Sequence, residues 1–498
     1  MGFLAASYLL LLVAVSRTIL GFSQLQIKWY LDPIVLFSGC WIVGFSIYTL
    51  PIYSYRQEIS GQTVLFVMCA HTVFFLGTLL GGSIANFSES SEIGKWSGRR
   101  QLAKSTYSFW VLFTFGLIGA IGLISVTANA ILTSSLGLFG RFSTDALSQI
   151  RAETFGAAAG ALPRGPFSQL EQFSAAGYVF IGLIICAPFD GYSKFRKRFL
   201  SICAVFCGVL IVFNQLFVRG GRFDIVALLL FLFFIISIRD SSPVRLWLRH
   251  IILKRKWSFG VAFLFVVIVV AYYFTVIFVQ ARSGVGLPLD GLRNYHRLGL
   301  SPLADGIVRG SQVLETLMLS LSYLVVPLTT LSFYFDLAAN DFAGPFWGQY
   351  NFQWLSGFIL RRVGEFREWH DFWTIRSEVW SPLRHLGFGT NVWATLLRDL
   401  AIDFGWFGSV VAVFIIGVGS RWLAVSAISG RDPALVVAYS FVAIFLVFSF
   451  AHSMFHIASV FPPFVYAVAL FIFLRLRGSP VNRPRTRPNK SELSNIKS

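Results

Sequence analysis

The sequence predicts an all-α polytopic membrane protein of about 11–12 transmembrane helices carrying a large external loop, and three observations lead there. Of 498 residues, 56% are hydrophobic and only 13% charged, against the roughly 25% charge of a soluble globular domain. The apolar residues fall in runs of about 20, the length that crosses a hydrocarbon core as a helix. Short basic stretches separate those runs. Neither a soluble domain nor a disordered chain has this composition.

Between the basic anchors, apolar runs place spans near residues 3–22, 33–53, 62–82, 107–134, 173–190, 199–217, 223–238, 258–279, 405–424, 435–451 and 460–474. The first run lacks a basic start and a small-residue cleavage site and contains Arg17, so it reads as a retained helix and not a signal peptide. In the fourth, Gly116, Gly119 and Gly122 set small residues along one helix face, a pattern for close helix packing. All five cysteines lie inside these spans, without the spacing of a disulfide framework or a CxxC metal site.

The net charge of +18 resides in five stretches: residues 83–106, 191–198, 239–257, the turn flanked by Arg421 and Arg431, and the tail from Arg475. Lys and Arg are retained on the cytoplasmic side, which assigns all five inside. A bound nucleic acid is then unnecessary to explain the charge, and the tail, with Pro480, Pro484 and Pro488 among basic residues, reads as a disordered cytoplasmic end able to touch membrane lipid. The resulting organisation is residues 1–279 as transmembrane helices with an external loop at 135–172, a large external loop at 280–404, closing helices at 405–474 and a basic tail at 475–498. Eleven spans with the C-terminus inside put the N-terminus outside. A twelfth span would reverse that.

Function is expected in residues 280–404, because ordered loops this long are usually functional. Within it, Glu315 to Leu337 is apolar enough for a buried, re-entrant or interfacial helix broken or kinked at Pro327, or for the twelfth span. The loop holds ten arginines, eleven acids and no lysine, whereas eight of the nine lysines lie in the five basic stretches. Arginine's planar fork binds phosphate oxygens bidentately and stays ionised near a membrane, so an external surface with arginine and no lysine suits a phosphate-bearing ligand. Salt bridging to the loop's own acids is the plainer alternative. Arg219 and Arg222 flank two glycines at the mouth of the seventh span, where an arginine needs a partner or serves as an anchor. His385, following Arg384, could act as a general base for an attacking hydroxyl or be structural. His71 reads as a packing residue, and His452 and His456, four apart, could share a helix face near an external turn, where packing is again the plainer reading. No metal-binding, Walker A, GxSxG or GxGxxG pattern occurs, so the expected cofactor complement is none.

The segment from Gly387 to Gly408, with Asn391, Thr395, Asp403, Gly405 and Gly408, resembles the pattern that closes the large external loop of bacterial oligosaccharide repeat unit polymerases, the Wzy group. In that family an Asn and a Thr precede a helix entering the membrane at an Asp-Phe-Gly-x-x-Gly turn, and Gly221 with Arg222 resembles the family's short external turn. Arg376 and Gly387 also fit an Arg-x10-Gly spacing. The resemblance implies a GT-C-like glycosyltransferase of the bacterial cytoplasmic membrane with its active loop on the periplasmic or external side. Its donor would be a polyprenyl-pyrophosphate-linked oligosaccharide, with a chain-length regulator as a possible partner. It implies pyrophosphate binding by Arg222, Arg376 and Arg384, helped by Arg219 and Arg282. Asn391 belongs to the substrate-binding set, and His385 or Asp403 orients or deprotonates the acceptor hydroxyl. In O-antigen ligase relatives a His precedes that Asn, but Thr390 stands here, which leaves His385, Asp403 and Glu378 as candidate bases. An O-antigen ligase and a lipid-linked oligosaccharide flippase are the alternatives.

Overall fold

The structure, a computed structural model, describes residues 1–21, 27–55, 58–96, 107–133, 167, 169–186, 192–214, 223–238, 298–338, 345–352, 395–430, 432–451, 453–455, 457 and 459–476. The helices are α1 (Gly2–Gly21), α2 (Pro33–Thr49), α3 (Gly61–Trp96), α4 (Phe109–Thr133), α5 (Ser174–Cys186), α6 (Lys194–Phe213) and α7 (Phe223–Ile238). They continue with α8 (Pro302–Val308), α9 (Gln312–Ser322), α10 (Val326–Ala338), α11 (Leu396–Gly430), α12 (Pro433–Phe448) and α13 (Phe461–Leu476). A two-stranded antiparallel sheet joins β1 (Tyr53–Tyr55) to β2 (Leu298–Leu300) in the register Tyr53–Leu300. Helices α1, α3, α4 and α11 are long and apolar enough to cross a membrane, and shorter apolar helices include α2, α12 and α13.

Most expected spans coincide with helices, and the exceptions are physical. The span expected at 405–424 starts at a kink, Gly405, and runs on to Gly430; a helical segment from Leu396, whose charged residues are buried against partners, leads into it and makes one kinked helix of the two. Helix α3 continues past residue 82 to Trp96. The apolar stretch from Glu315 to Leu337 is two helices, α9 and α10, separated just before Pro327, whose missing N–H and fixed φ are tolerated only in a helix's first turn. The sheet is an addition to an otherwise helical fold. The span expected at 258–279 lies outside the described residues.

Glycine lets two helix pairs touch backbone to backbone. Helices α3 and α11 run side by side in one direction, with Phe66 against Trp406 at one end and Gly82 against Arg421 at the other. A Cβ at Gly77 would stand 2.4 Å from the Phe414 carbonyl oxygen, and one at Gly81 would stand 2.3 Å from that of Val418. In the antiparallel pair α4 and α5, a Cβ at Gly119 would meet the Gly177 nitrogen at 2.4 Å and one at Gly122 the Ser174 nitrogen at 2.1 Å, with Gly116 over the Phe180 ring. This is the packing expected of the glycines on α4.

The two ends of the bundle differ in chemistry. At one end lie the starts of α4, α6 and α12, each next to an expected basic stretch. Tyr107 donates its hydroxyl hydrogen to Asp432 at 2.8 Å, and Tyr192 donates to the Tyr107 carbonyl. At the same end, Lys28 donates to the Ser237 carbonyl at 3.1 Å. Asp32 caps α2 by accepting from the Ile34 amide and pairs with Arg421 at 3.0 Å. The opposite end gathers the sheet, α8–α10, the start of α11 and the N-terminus, where a Cβ on Gly2 would lie 2.9 Å from Thr49. His71 is buried mid-bundle against Phe37 and Trp41, with Nδ1 2.8 Å from the Val67 carbonyl, in the packing role expected of it.

Candidate functional site

The start of α11 concentrates charge in an apolar setting. Arg398, Asp399 and Asp403 have no exposed surface, and burial of ionised side chains persists only where each is paired and hydrogen-bonded. Thr395 opens the helix, its hydroxyl accepting from the Arg398 amide at 3.2 Å, and the Leu396 amide donates to the Ser449 carbonyl at 2.8 Å. Positions 399 and 403 are four apart and therefore share a helix face.

Partners arrive from three other segments. Arg398 Nη2 and Nε donate to Asp399 Oδ1 at 2.7 and 3.2 Å, and the guanidinium lies 5.9 Å from the centre of the Tyr334 ring on α10, within cation–π range. From the turn after α12, the Ser453 amide donates to Asp399 Oδ2 at 3.1 Å. From the turn at residues 346–352, the Tyr350 amide reaches Asp403 Oδ1 at 2.9 Å, and the Asn351 amide reaches Oδ2 at 2.8 Å.

Asn351 is the hub. Its Nδ2 donates to both the Asp399 carbonyl and Asp403 Oδ2 at 2.7 Å, while its Oδ1 accepts the Ser453 hydroxyl hydrogen at 2.6 Å. Reversing the amide would aim an oxygen at a carbonyl and a carboxylate, so the network fixes its orientation.

Two backbone irregularities make this meeting possible. Gly405 has φ 70 inside α11, a conformation that interrupts a regular helix and that side chains with a Cβ rarely adopt. Just before it, the Ile402 and Asp403 carbonyls accept from the Phe346 and Trp347 amides at 3.2 and 2.8 Å. Those donors sit on a tight turn with positive φ at both Trp347 (51) and Gly348 (91), closed by the Gln349 amide on the Phe346 carbonyl at 3.0 Å, as in a type I′ turn.

Of the residues selected from sequence, Asp403 belongs to this cluster. Both its carboxylate oxygens are already engaged by N–H donors, which makes it a gathering point for backbone. Arg219, Arg222, Arg282, Arg376, Arg384, His385 and Asn391 lie outside the described residues, as does Glu378. Two of the loop's ten arginines are described, and both pair with acids of the same loop: Arg309 with Asp305 at 2.7 Å, exposed, and Arg398 with Asp399, buried. Salt bridging is thus the observed arrangement for those two. Sequence reasoning passed over Arg398 and Asp399, although three ionisable residues in the apolar run from Leu396 to Phe407 were a usable signal. Asn351 and Ser453 carried no such signal, being polar residues in segments whose convergence only the fold reveals. Among the described residues, no group of three or more His, Cys, Asp or Glu is placed to hold a metal ion.

Fold and site together define a helical protein with four helices able to cross a membrane and a buried charged cluster at the end opposite the starts of α4, α6 and α12. No protein-family model, no curated protein and no solved structure matches the chain.

Proposed function

We propose that this protein is a membrane glycosyltransferase that polymerises polyprenyl-pyrophosphate-linked oligosaccharide repeat units into a surface polysaccharide, on the outer face of the bacterial cytoplasmic membrane. The observation that carries the reading is the way one cluster bounds the arginine-rich stretch. The chain leaves the cluster at Asn351 and Phe352, and returns to it at Thr395 and Asp399. Between these points the sequence carries Arg376, Arg384, His385 and Asn391. The likeness of Gly387–Gly408 to the repeat unit polymerases and the basic chemistry of the opposite end support the same reading, the second through the retention of positive charge inside.

In this reaction an acceptor hydroxyl attacks the anomeric carbon of the donor sugar. The new glycosidic C–O bond forms as the bond to the pyrophosphate oxygen breaks, and polyprenyl pyrophosphate departs with the electron pair. Arg222, Arg376 and Arg384 neutralise the charge growing on that leaving group, where fixed positive groups lower the barrier most. Arg219 and Arg282 assist, and Asn391 holds the sugar. His385 receives the hydroxyl proton, and Asp403 keeps the helix entry that orients the acceptor. Neither a nucleotide sugar nor a metal takes part.

A glycan gel of a deletion strain beside its complemented parent tests the proposal. A ladder that collapses to one repeat unit supports it. Long chains left on the carrier lipid indicate a ligase, and repeat units trapped inside indicate transport. Full-length polymer from an Arg222→Ala, Arg376→Ala double variant at normal protein level would refute the arginine assignment.

A further inference from the structure

Asn351 lies far in sequence from the residues it touches, and four of the hydrogen bonds made by its backbone and side chain converge on α11 and the turn after α12. It donates twice to Asp403, once to the Asp399 carbonyl, and accepts from Ser453, which itself donates to the Asp399 carboxylate. Asn351 is fully buried, as are Asp399, Asp403 and Ser453. A network of buried donors and acceptors with every member engaged rigidifies what it joins, because opening it exposes each group's full desolvation cost at once.

The surrounding backbone adds a second restraint on the same turn. The Phe346 and Trp347 amides donate to the Ile402 and Asp403 carbonyls, just ahead of the Gly405 kink. Trp347 holds a positive φ although its side chain is largely exposed, so packing of its own side chain does not fix the turn. The fixation comes from α11.

We infer that Asn351, with Ser453, is a positioning residue: a clasp that binds the turn at 346–352 to the kinked entry of α11 and thereby sets both ends of the stretch carrying Arg376, Arg384 and His385. Its importance for polymerisation rests on the function proposed above; its mechanical role does not. Asn351 touches no reacting atom in this account and acts through the ends it holds.

Hydrogen–deuterium exchange of the full-length protein in detergent, followed by mass spectrometry, reads the clasp directly. Tyr350, Asn351 and Trp347 donate their amides to Asp403. In the milder Ser453→Ala, exchange over residues 345–352 rises about tenfold, the effect of leaving one buried acceptor without its hydrogen bond, and in Asn351→Leu, which removes three side-chain hydrogen bonds, it rises further. Ser453→Thr keeps the hydroxyl and exchanges like the parent. The sheet and α8 peptide at 298–308 is unchanged in all three. Unaltered exchange at 345–352 in folded Ser453→Ala and Asn351→Leu protein would overturn the clasp. So would equal acceleration at 345–352 and 298–308, which would make these residues general scaffold. Faster exchange at 345–352 alone, with polymer length unaffected, would uphold the clasp and overturn its importance for polymerisation.

Discussion

Asp32 and Arg421, 389 positions apart in sequence, form a buried ion pair at 3.0 Å that ties the N-terminal cap of α2 to the distal half of α11. Removing one member leaves the other charge buried without its counterion, which costs about 3–5 kcal/mol, whereas replacing both by apolar residues of similar size is close to neutral. Arg421→Met should therefore lower the melting temperature of the detergent-solubilised protein strongly. Adding Asp32→Leu should recover much of it, less the contribution of the cap on the Ile34 amide, about 1 kcal/mol. A double variant no more stable than Arg421→Met would show that the pair is not the source of the coupling.

The glycine contacts make opposite predictions at different positions. Gly119→Leu drives a side chain into the α5 backbone, where even a Cβ would be 2.4 Å from the Gly177 nitrogen, and should destabilise by about 3 kcal/mol or more. Gly419 on α11 has nothing within 4 Å of its would-be Cβ, so Gly419→Ala should stabilise by about 0.5–1 kcal/mol. Fluorescence size-exclusion after a heating series separates the two.

Gly405 is constrained by conformation and not by space, since nothing lies within 4 Å of its would-be Cβ while φ is 70. Gly405→Val should cost more than Gly405→Ala, at about 1–2 kcal/mol for the latter. Gly405→Asn should cost about as much as Gly405→Ala, because φ 70 with ψ 174 lies outside the left-handed helical well that Asn tolerates and in a region essentially reserved for glycine. Melting temperatures equal to the parent's in all three would remove the argument that the kink is built into α11.

How much of this could be read from the sequence differed by element. Apolar runs exposed the spans, and Gly116, Gly119 and Gly122 exposed the α4–α5 contact, because both signals are local and periodic. The start of α11 was obscured by its own site: Arg398, Asp399 and Asp403 depress hydropathy, and only their mutual burial keeps them inside the helix. Asn351 and Ser453 could not be chosen from sequence, since their roles arise from two turns brought together across 102 positions. Asp403 was picked out by its Asp-Phe-Gly-x-x-Gly setting, and it stands in the cluster as an acceptor of backbone amides.

The two ends of the bundle should fall on opposite sides of the membrane. A cysteine introduced at the exposed Trp347 or Leu303 should react with a membrane-impermeant thiol reagent on spheroplasts, and one at the exposed Phe195 or Leu476 only after permeabilisation. The reverse pattern would place the arginine-rich stretch inside, away from a lipid-linked donor displayed on the outer face.

The most direct measurement reconstitutes the purified protein in liposomes with lipid-linked repeat units extracted from the deletion strain, without nucleotide sugar or added metal. Elongated lipid-linked glycan, with one polyprenyl pyrophosphate released for each bond formed and both products lost in Arg376→Ala and Arg384→Ala, is the predicted result. Repeat units that remain single in the presence of folded protein would contradict the account.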